Sequence, residues 1–233
     1  MTNVITSVLA MLLYHGSNKV IEAPVYGEGN PKNDYGLGFY CTEVLELAKE
    51  WACPKDTDGF VNQYELDMEG LTVCHLTKAP HHILNWLSIL LENRVFAVSE
   101  GLPSEARSYI LETFLPDYKH YDLLIGYRAD DSYFAFANAF LNGTISLTQL
   151  GRAMHLGQLG EQVVLRSEKA FKAIHFVDSI PVPGAIYYPK RVARDQGARN
   201  AFQREKTQST VREGIYILDI LRQEWKNDDA RLR

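Results

Sequence analysis

The sequence predicts an α+β protein. Short strand patterns are interleaved with helical patterns of unequal length, rather than alternating regularly as in a doubly wound α/β fold. With 46% apolar residues, 23% charged residues and a net charge of only −5, the 233-residue chain has the composition of a folded globular protein. This composition excludes intrinsic disorder. Three cysteines are too few, and odd in number, for a disulfide scaffold.

The first half of the chain begins this mixed pattern of strands and helices. Apolar residues recur at i, i+3, i+4 and i+7 from Val44 to Trp51, which predicts a helix over residues 43–52. Thr42, directly before it, is the predicted N-cap. A segment rich in Gly, Pro, Asn and Asp predicts a loop over residues 24–35. The other elements predicted here are strands at residues 8–14, 38–41 and 60–66 and helices at residues 82–93 and 104–114.

The second half continues in the same way. Asn142-Gly143 is predicted to end a helix, and Pro181-Val182-Pro183-Gly184 is interpreted as a turn or short linker. The predicted strands are residues 121–127, 162–166 and 174–177, and the predicted helices are residues 132–141, 146–155, 167–173 and one or two in the tail, the last over residues 214–225.

The charge is distributed unevenly along the chain. Residues 190–233 contain 11 Lys or Arg and 7 Asp or Glu, a net charge of +4, so the remainder has a net charge of −9. We therefore predict a main domain over residues 1–183, followed by a basic and largely helical C-terminal extension over residues 184–233 that packs on it. The basic tail could instead contact nucleic acid or an acidic partner.

The apolar runs and the first residues of the chain predict where in the cell the protein is located. No apolar run approaches the roughly 20 residues that a membrane-spanning helix needs, and the first residues lack the basic region and cleavage site of a secretory signal. We expect a cytoplasmic protein with reduced thiols and no membrane association.

Two short segments are candidates for a functional site. The first is His15-Gly16-Ser17, where an apolar strand ends in a His whose ring would be held by a rigid element, followed by a Gly that permits close approach of backbone or ligand. The second runs from Gly36 to Thr42 and contains Tyr40, with Trp51 following 11 residues later. Both rings could face one cleft and stack on a flat ligand, or both could belong to the core.

Together these segments resemble the NAD-binding half of the ADP-ribosyltransferases. That superfamily combines a His-Gly-Ser/Thr segment, a Gly-x-Gly-[Ile/Phe]-Tyr segment, a second aromatic residue 11 positions after the Tyr, and an acidic or amide residue that begins a later strand. The chain is more closely similar to a bacterial family long labelled as of unknown function and grouped with these transferases. The matching segments are residues 13–17, 36–42, 48–52, 93–94, 121–126 and 162–170.

The resemblance implies a split β-sheet with surrounding helices, and NAD as substrate. His15 would bind the adenosine ribose hydroxyls, and Gly16 of the His-Gly-Ser17 segment would bind the nicotinamide amide through its backbone. Tyr40 and Trp51 would sandwich the nicotinamide ring. Cleavage of NAD passes through an oxocarbenium-like ribose, which a carboxylate near the 2′-hydroxyl stabilises.

The third motif position is occupied by Gln162, with Glu161 just before it. Neighbouring side chains of a strand point to opposite faces, so only one of the two reaches the site. Both faces of this strand have a buried pattern, so the pattern does not choose between them, whereas the family resemblance favours Gln162. Arg94 at the end of an apolar helix would either neutralise the helix C-terminus or bind the NAD pyrophosphate. No metal site is predicted.

The resemblance also implies a biological role. Relatives are often encoded beside a small partner as toxin–antitoxin modules, so the chain would be the toxin, its partner a small antitoxin, and its acceptor a protein or nucleic acid. Three alternatives remain. One is a Cys–His hydrolase that uses Cys41 with His15, His75 or His155. The second is a catalytically weak or inactive NAD- or nucleotide-binding module, and the third is a nucleic-acid-binding protein that uses the basic tail.

Overall fold

The computed structural model describes residues 10–95, 97–129, 131–156, 160–208 and 214–232. Its first sheet has three antiparallel strands in the order β1-β3-β7, namely β1 (Ala10–Ser17), β3 (Gly59–Asp67) and β7 (Ile174–Val182). β1 pairs with β3 over its whole length, so the first candidate segment is held at the end of a fully paired strand.

The second sheet has the order β2-β6-β5-β4, with β2 (Phe39–Cys41), β4 (Val73–His75), β5 (Leu123–Tyr127) and β6 (Glu161–Leu165). β4 is parallel to β5, and the other pairs are antiparallel. Backbone hydrogen bonds of 2.8 and 2.9 Å between Tyr14 and Thr42 connect the two sheets. This bridge places the end of β1 beside β2, and thereby brings the two candidate segments together.

Helices surround the two sheets. Packing between the sheets buries apolar side chains such as Leu13, Tyr64, Val163 and Leu165, and a larger apolar core lies between the second sheet and a group of helices on its other face. The second sheet is therefore buried on both faces. The helices are α1 (Leu45–Ala52), α2 (Ile83–Asn93), α3 (Leu102–Phe114), α4 (Asp131–Leu141), α5 (Leu147–Ala153), α6 (Glu168–Ala173), α7 (Gly184–Gln208) and α8 (Ile217–Arg222), followed by a 3₁₀ turn at Ala230–Leu232.

The α+β class is confirmed, with corrections to individual elements. The sequence did not predict β4, which has only three residues. β7 continues through Pro181 and Val182, so the segment interpreted as a linker begins as strand. Proline is tolerated there because β7 lies at the edge of its sheet.

The predicted N-cap of α1 is also wrong. The N-cap position is Val44, which makes no side-chain cap. The Thr42 hydroxyl instead accepts a hydrogen bond from the Val44 amide at 3.2 Å and donates one to the Glu161 carbonyl at 3.3 Å. Thr42 therefore connects β2 to β6 at the start of the turn into α1.

The C-terminal extension lies against the main body. α7 packs on α1, α4 and α5, and α8 packs on α3. The Arg194 guanidinium of α7 makes a bidentate ion pair with the buried Glu50 carboxylate of α1, with Nε–Oε2 and Nη2–Oε1 distances of 2.7 and 2.5 Å. No helix in the described ranges has the length and apolar character needed to cross a bilayer.

Candidate functional site

A cavity of about 460 Å³ lies where β1, β2 and β6 meet α1 and α7. Six residues singled out from the sequence line it: His15, Gly16, Tyr40, Trp51, Arg94 and Gln162. Two others, Ser17 and Glu161, are not among its lining residues. The Ser17 hydroxyl accepts a hydrogen bond from the Lys19 amide at 3.3 Å in the turn that follows β1.

His15 is held in one tautomer. Its Nδ1 lies 2.7 Å from the Tyr40 carbonyl oxygen, which can only accept a hydrogen bond, so Nδ1 carries the proton. The ring also stacks on Phe39 with a centroid distance of 4.4 Å. Burial lowers the pKa of His15, so the ring is neutral at pH 7. A neutral ring protonated on Nδ1 has an acceptor at Nε2, which can accept a hydrogen bond from a hydroxyl group.

Tyr40 shapes the adjacent loop. Its hydroxyl accepts a hydrogen bond from the Tyr35 amide at 3.1 Å and donates one to the Gly36 carbonyl at 2.6 Å. Gly36 has φ +76°, a conformation that favours glycine. Tyr40 pairs with Val164 across the β2–β6 ladder, two residues from Gln162, so Tyr40 and Gln162 lie on the same face of the second sheet.

Trp51 reaches the cavity from the last turn of α1. The Arg128 guanidinium lies 3.9 Å from the centroid of its indole ring, in a cation–π contact. Arg128 therefore covers one face of the ring, and a flat ligand can stack on that face only after Arg128 moves. The predicted sandwich between Tyr40 and Trp51 remains a prediction.

Gly16 is required for packing. A Cβ atom at this position would lie 2.2 Å from the Ala48 carbonyl oxygen and 2.5 Å from the Ala52 backbone nitrogen. The backbone of α1 thus lies directly against the end of β1, and this contact brings Trp51 to the cavity.

Gln162 and Glu161 point to opposite faces of β6. Gln162 is 3% exposed, and its Nε2 donates to Asp34 Oδ2 at 2.9 Å and to the Tyr127 carbonyl at 3.3 Å. The Glu161 carboxylate accepts a hydrogen bond from the Thr77 hydroxyl and lies 3.6 Å from His75 Nε2. The candidate role for Glu161 in this cavity is therefore wrong, because strand alternation turns it to the other side of the sheet.

Asp34 is a site residue that the sequence analysis missed. Its carboxylate lines the cavity, is 6% exposed, and accepts hydrogen bonds from the Ala129 amide and from Gln162, both at 2.9 Å. Burial raises its pKa, whereas the Ala129 amide, Gln162 and the charges of Arg94 and Arg128 act in the opposite direction. The available signal was an acidic residue just before the Gly36–Tyr40 segment, within a stretch interpreted only as loop.

Arg94 does not act as a simple charge at the end of α2. Its Nη1 donates to the Lys32 carbonyl at 3.3 Å, its Nε lies 3.5 Å from Asp34 Oδ1, and its guanidinium lies 4.5 Å from the centroid of the Phe134 ring. These contacts connect α2 to the loop that contains Asp34. The guanidinium lines the cavity, where it can bind an anion.

The C-terminal extension contributes one wall of the cavity. Arg191, Val192 and Asp195 of α7 all line it. The Arg194–Glu50 ion pair holds this wall against α1 one residue before Trp51. The cavity therefore combines guanidinium groups, a buried carboxylate and aromatic rings, which suits a ligand with an aromatic ring, sugar hydroxyls and an anionic group.

Alternative chemistry has less support from the geometry. Cys41 is fully buried in the core between the sheets, and burial raises its pKa far above neutrality, which disfavours a nucleophilic thiolate. Within the described residues, no three His, Cys, Asp or Glu side chains come together as metal ligands.

We expect the unfolding free energy to fall as pH decreases from 7.5 to 5.5. Burial lowers the pKa values of His15, His75 and His81, so the unfolded chain binds protons near pH 6.5 where these folded imidazoles remain neutral. Urea unfolding of wild type and His15→Asn at both pH values measures the His15 contribution. The asparagine can still donate a hydrogen bond to the Tyr40 carbonyl, so this variant mainly removes the titrating ring. If its unfolding free energy depends on pH as strongly as that of wild type, His15 does not contribute to the pH dependence.

Comparison with family models identifies a family for this chain. The model of a family described as a protein of unknown function, DUF3990, matches residues 11–176, which is more than half of the chain and includes the strands that build the cavity. No curated protein and no solved structure matches the chain. The cavity residues His15, Tyr40, Trp51, Arg94 and Gln162 all lie within the matched segment, whereas the α7 wall lies outside it. The chain belongs to the DUF3990 family.

Proposed function

We propose that this protein is an NAD-dependent mono-ADP-ribosyltransferase that modifies a macromolecular acceptor. The observation that carries the proposal is that four side chains from different elements come together in one cavity. His15 on β1, Tyr40 on β2, Trp51 on α1 and Gln162 on β6 are far apart in the sequence, yet they line one cavity. These are the residues on which the resemblance to ADP-ribosyltransferases depends.

The side chains suit the parts of NAD. The neutral His15 ring has an acceptor for a ribose hydroxyl, and Arg94 and Arg191 offer guanidinium groups to the pyrophosphate. Tyr40 and Trp51 offer aromatic surfaces to the nicotinamide ring. Gln162, in contact with Asp34, offers polar groups to the nicotinamide ribose.

The proposed reaction exchanges one bond to the ribose for another. The glycosidic bond between C1′ and the nicotinamide nitrogen breaks, and the electron pair leaves with nicotinamide as a neutral molecule. The positive charge that develops on the ribose is stabilised by nearby negative charge and dipoles. A nucleophilic atom of the acceptor then bonds to C1′ and loses its proton to solvent or to a base.

NAD binding and transfer can be tested with one matched pair of variants. Calorimetric titration should detect NAD binding, and incubation with adenylate-labelled NAD and cell lysate should label protein or nucleic acid, distinguished by protease and nuclease treatment. His15→Asn can retain the donor to Tyr40 while losing the Nε2 acceptor, so we expect a roughly tenfold loss of NAD affinity. His120→Asn changes an exposed His near Asp117 and should have no effect. Absence of binding at millimolar NAD would refute the proposal.

A toxin role is the biological part of the proposal, and it is supported by the family resemblance alone. Induced expression in bacterial cells should arrest growth, and His15→Asn should relieve the arrest whereas His120→Asn should not. Co-expression of a small protein encoded beside this chain should neutralise it. Equal toxicity of both variants at equal expression would show that NAD chemistry does not cause the growth arrest.

Gln162 favours a second candidate, an NAD-binding module with little or no turnover. An amide has no net charge, so it stabilises a developing cation less than a carboxylate does. NAD binding without nicotinamide release in the presence of lysate would support this alternative.

A further inference from the structure

We propose that Asp34 provides the negative charge of this site and orients Gln162, so that the carboxylate and the amide act as one unit across two elements. The inference rests on the proposed NAD chemistry and specifies how that chemistry is performed when the β6 residue that faces the cavity is an amide, Gln162.

Asp34 differs in position from the other carboxylate of the cavity. Two carboxylates of the described chain line the cavity, Asp34 and Asp195. Asp195 is part of an ion pair on α7, with its Oδ2 2.8 Å from Arg199 Nε, and its side chain is 35% exposed. Asp34 also has a guanidinium partner, Arg94, but it is buried beside Gln162, so solvent screens its charge less than that of Asp195.

Hydrogen-bond donors and positive charges surround the Asp34 carboxylate. Arg94 Nε lies 3.5 Å from its Oδ1, Arg128 adds a further positive charge, and the Ala129 amide donates to Oδ2. Burial raises the pKa of Asp34, and these groups act in the opposite direction because each of them stabilises the ionised carboxylate. The guanidinium groups of Arg94 and Arg128 line the cavity together with Asp34. One cavity therefore offers negative charge to the ribose of the proposed ligand and positive charge to its pyrophosphate.

The contacts of the Gln162 amide indicate its orientation. Gln162 Nε2 lies near Asp34 Oδ2 and the Tyr127 carbonyl oxygen, which are both acceptors when Asp34 is ionised. Its two amide hydrogens therefore point at these oxygens, and Oε1 is the amide atom that remains for a ligand. An acceptor at that atom can bind a ribose hydroxyl, while Asp34 behind it contributes the charge.

This arrangement determines the effect of a carboxylate at position 162. The change Gln162→Glu would place a second carboxylate where Nε2 now donates to Asp34 and Tyr127. Two carboxylates at hydrogen-bond distance repel each other, and one of them must take up a proton or move. We therefore expect Gln162→Glu to reduce turnover rather than increase it.

The change Asp34→Asn removes the negative charge of the side chain and keeps a hydrogen-bond acceptor. The asparagine oxygen can still accept from Ala129 and Gln162, so NAD should still bind, with KM within about threefold of wild type, while kcat for nicotinamide release falls at least tenfold. Asp34→Ala should lose both kcat and NAD affinity because the amide is no longer oriented. Asp178→Asn, a change at an exposed carboxylate on β7 that contacts the Ser179 amide, is the matched control.

The double variant tests the coupling of the two residues. Asp34→Asn combined with Gln162→Glu leaves one carboxylate between the two positions, so turnover should recover partly above that of Gln162→Glu alone. Thermal unfolding at pH 8 gives a readout that needs no NAD. Gln162→Glu should lower the Tm by about 5 °C, and adding Asp34→Asn should restore most of this loss.

The outcomes separate this inference from the proposed function. Wild-type turnover together with Asp34→Asn kinetics within twofold of wild type would overturn the inference and leave the proposed function standing. Faster turnover in Gln162→Glu would also overturn it. If the wild type does not bind NAD, the proposed function fails, and additive Tm changes in the double variant would then overturn the Asp34–Gln162 coupling independently.

Discussion

Replacing Gly16 with alanine is expected to destabilise the fold by about 3 kcal/mol. The new Cβ would lie 2.2 Å from the Ala48 carbonyl oxygen, and this neighbour is helix backbone, which cannot rotate away as a flexible side chain can. β1 and α1 would have to separate, and Trp51 would move away from the cavity with α1. Urea unfolding measures the stability loss, and NAD titration at a temperature where the variant is folded measures the effect on the site.

Gly197→Ala is the matched control for this substitution. Gly197 lies in the helix α7, and a Cβ atom there has no neighbour within 4 Å. Alanine stabilises an exposed helix interior relative to glycine, so this variant should gain up to about 1 kcal/mol. Wild-type stability in Gly16→Ala would show that β1 and α1 are not in the close contact described above.

Replacing Arg194 with alanine is expected to cost about 3 kcal/mol and to open the cavity. The substitution leaves the buried Glu50 carboxylate without its bidentate partner from α7. An unpaired buried charge is unfavourable, so α7 should loosen from α1, and the wall formed by Arg191, Val192 and Asp195 should loosen with it. Unfolding experiments measure the energy, and proteolysis between residues 184 and 208 measures the release of the helix.

Arg199→Ala provides the comparison on the same helix. Arg199 pairs with Asp195 within α7 across partly exposed side chains, and such i, i+4 pairs contribute about 0.3–0.5 kcal/mol. Equal stability losses in the two variants would show that the Glu50 contact does not fix α7. Glu50→Gln should cost less than Arg194→Ala because it removes the buried charge together with the ion pair.

Most elements of the fold could be predicted from local patterns. The apolar helix α2, the strand β6 and the helix α6 after Ser167 lie where the sequence predicted them, within a few residues. The three-residue strand β4 was missed because it is too short for a periodic signal. The length of β7 was underestimated because its Pro181 is permitted only by the edge position of the strand, which no local pattern reveals.

Which residues share a cavity depended on contacts that are distant in the sequence. Glu161 and Gln162 were equivalent in the pattern because the second sheet is buried on both faces, by the first sheet on one side and by helices on the other. Only the pairing of β2 with β6 puts Gln162 on the face of Tyr40. Asp34 became visible as a candidate only when its contact with Gln162, 128 positions away, was known.

By itself, the sequence determined the α+β class and most of the helices and strands, since these depend on local periodicity, and its motifs supplied the residues on which the proposed NAD site is based. The tertiary structure determined which side chains of the second sheet face the cavity. It turned Gln162 toward the cavity and Glu161 away, placed Arg128 over Trp51, made α7 a wall, and brought a buried carboxylate from a loop to the amide of β6. The physical reason is that these features depend on strand pairing and on burial of charge, which are set only when distant segments pack together.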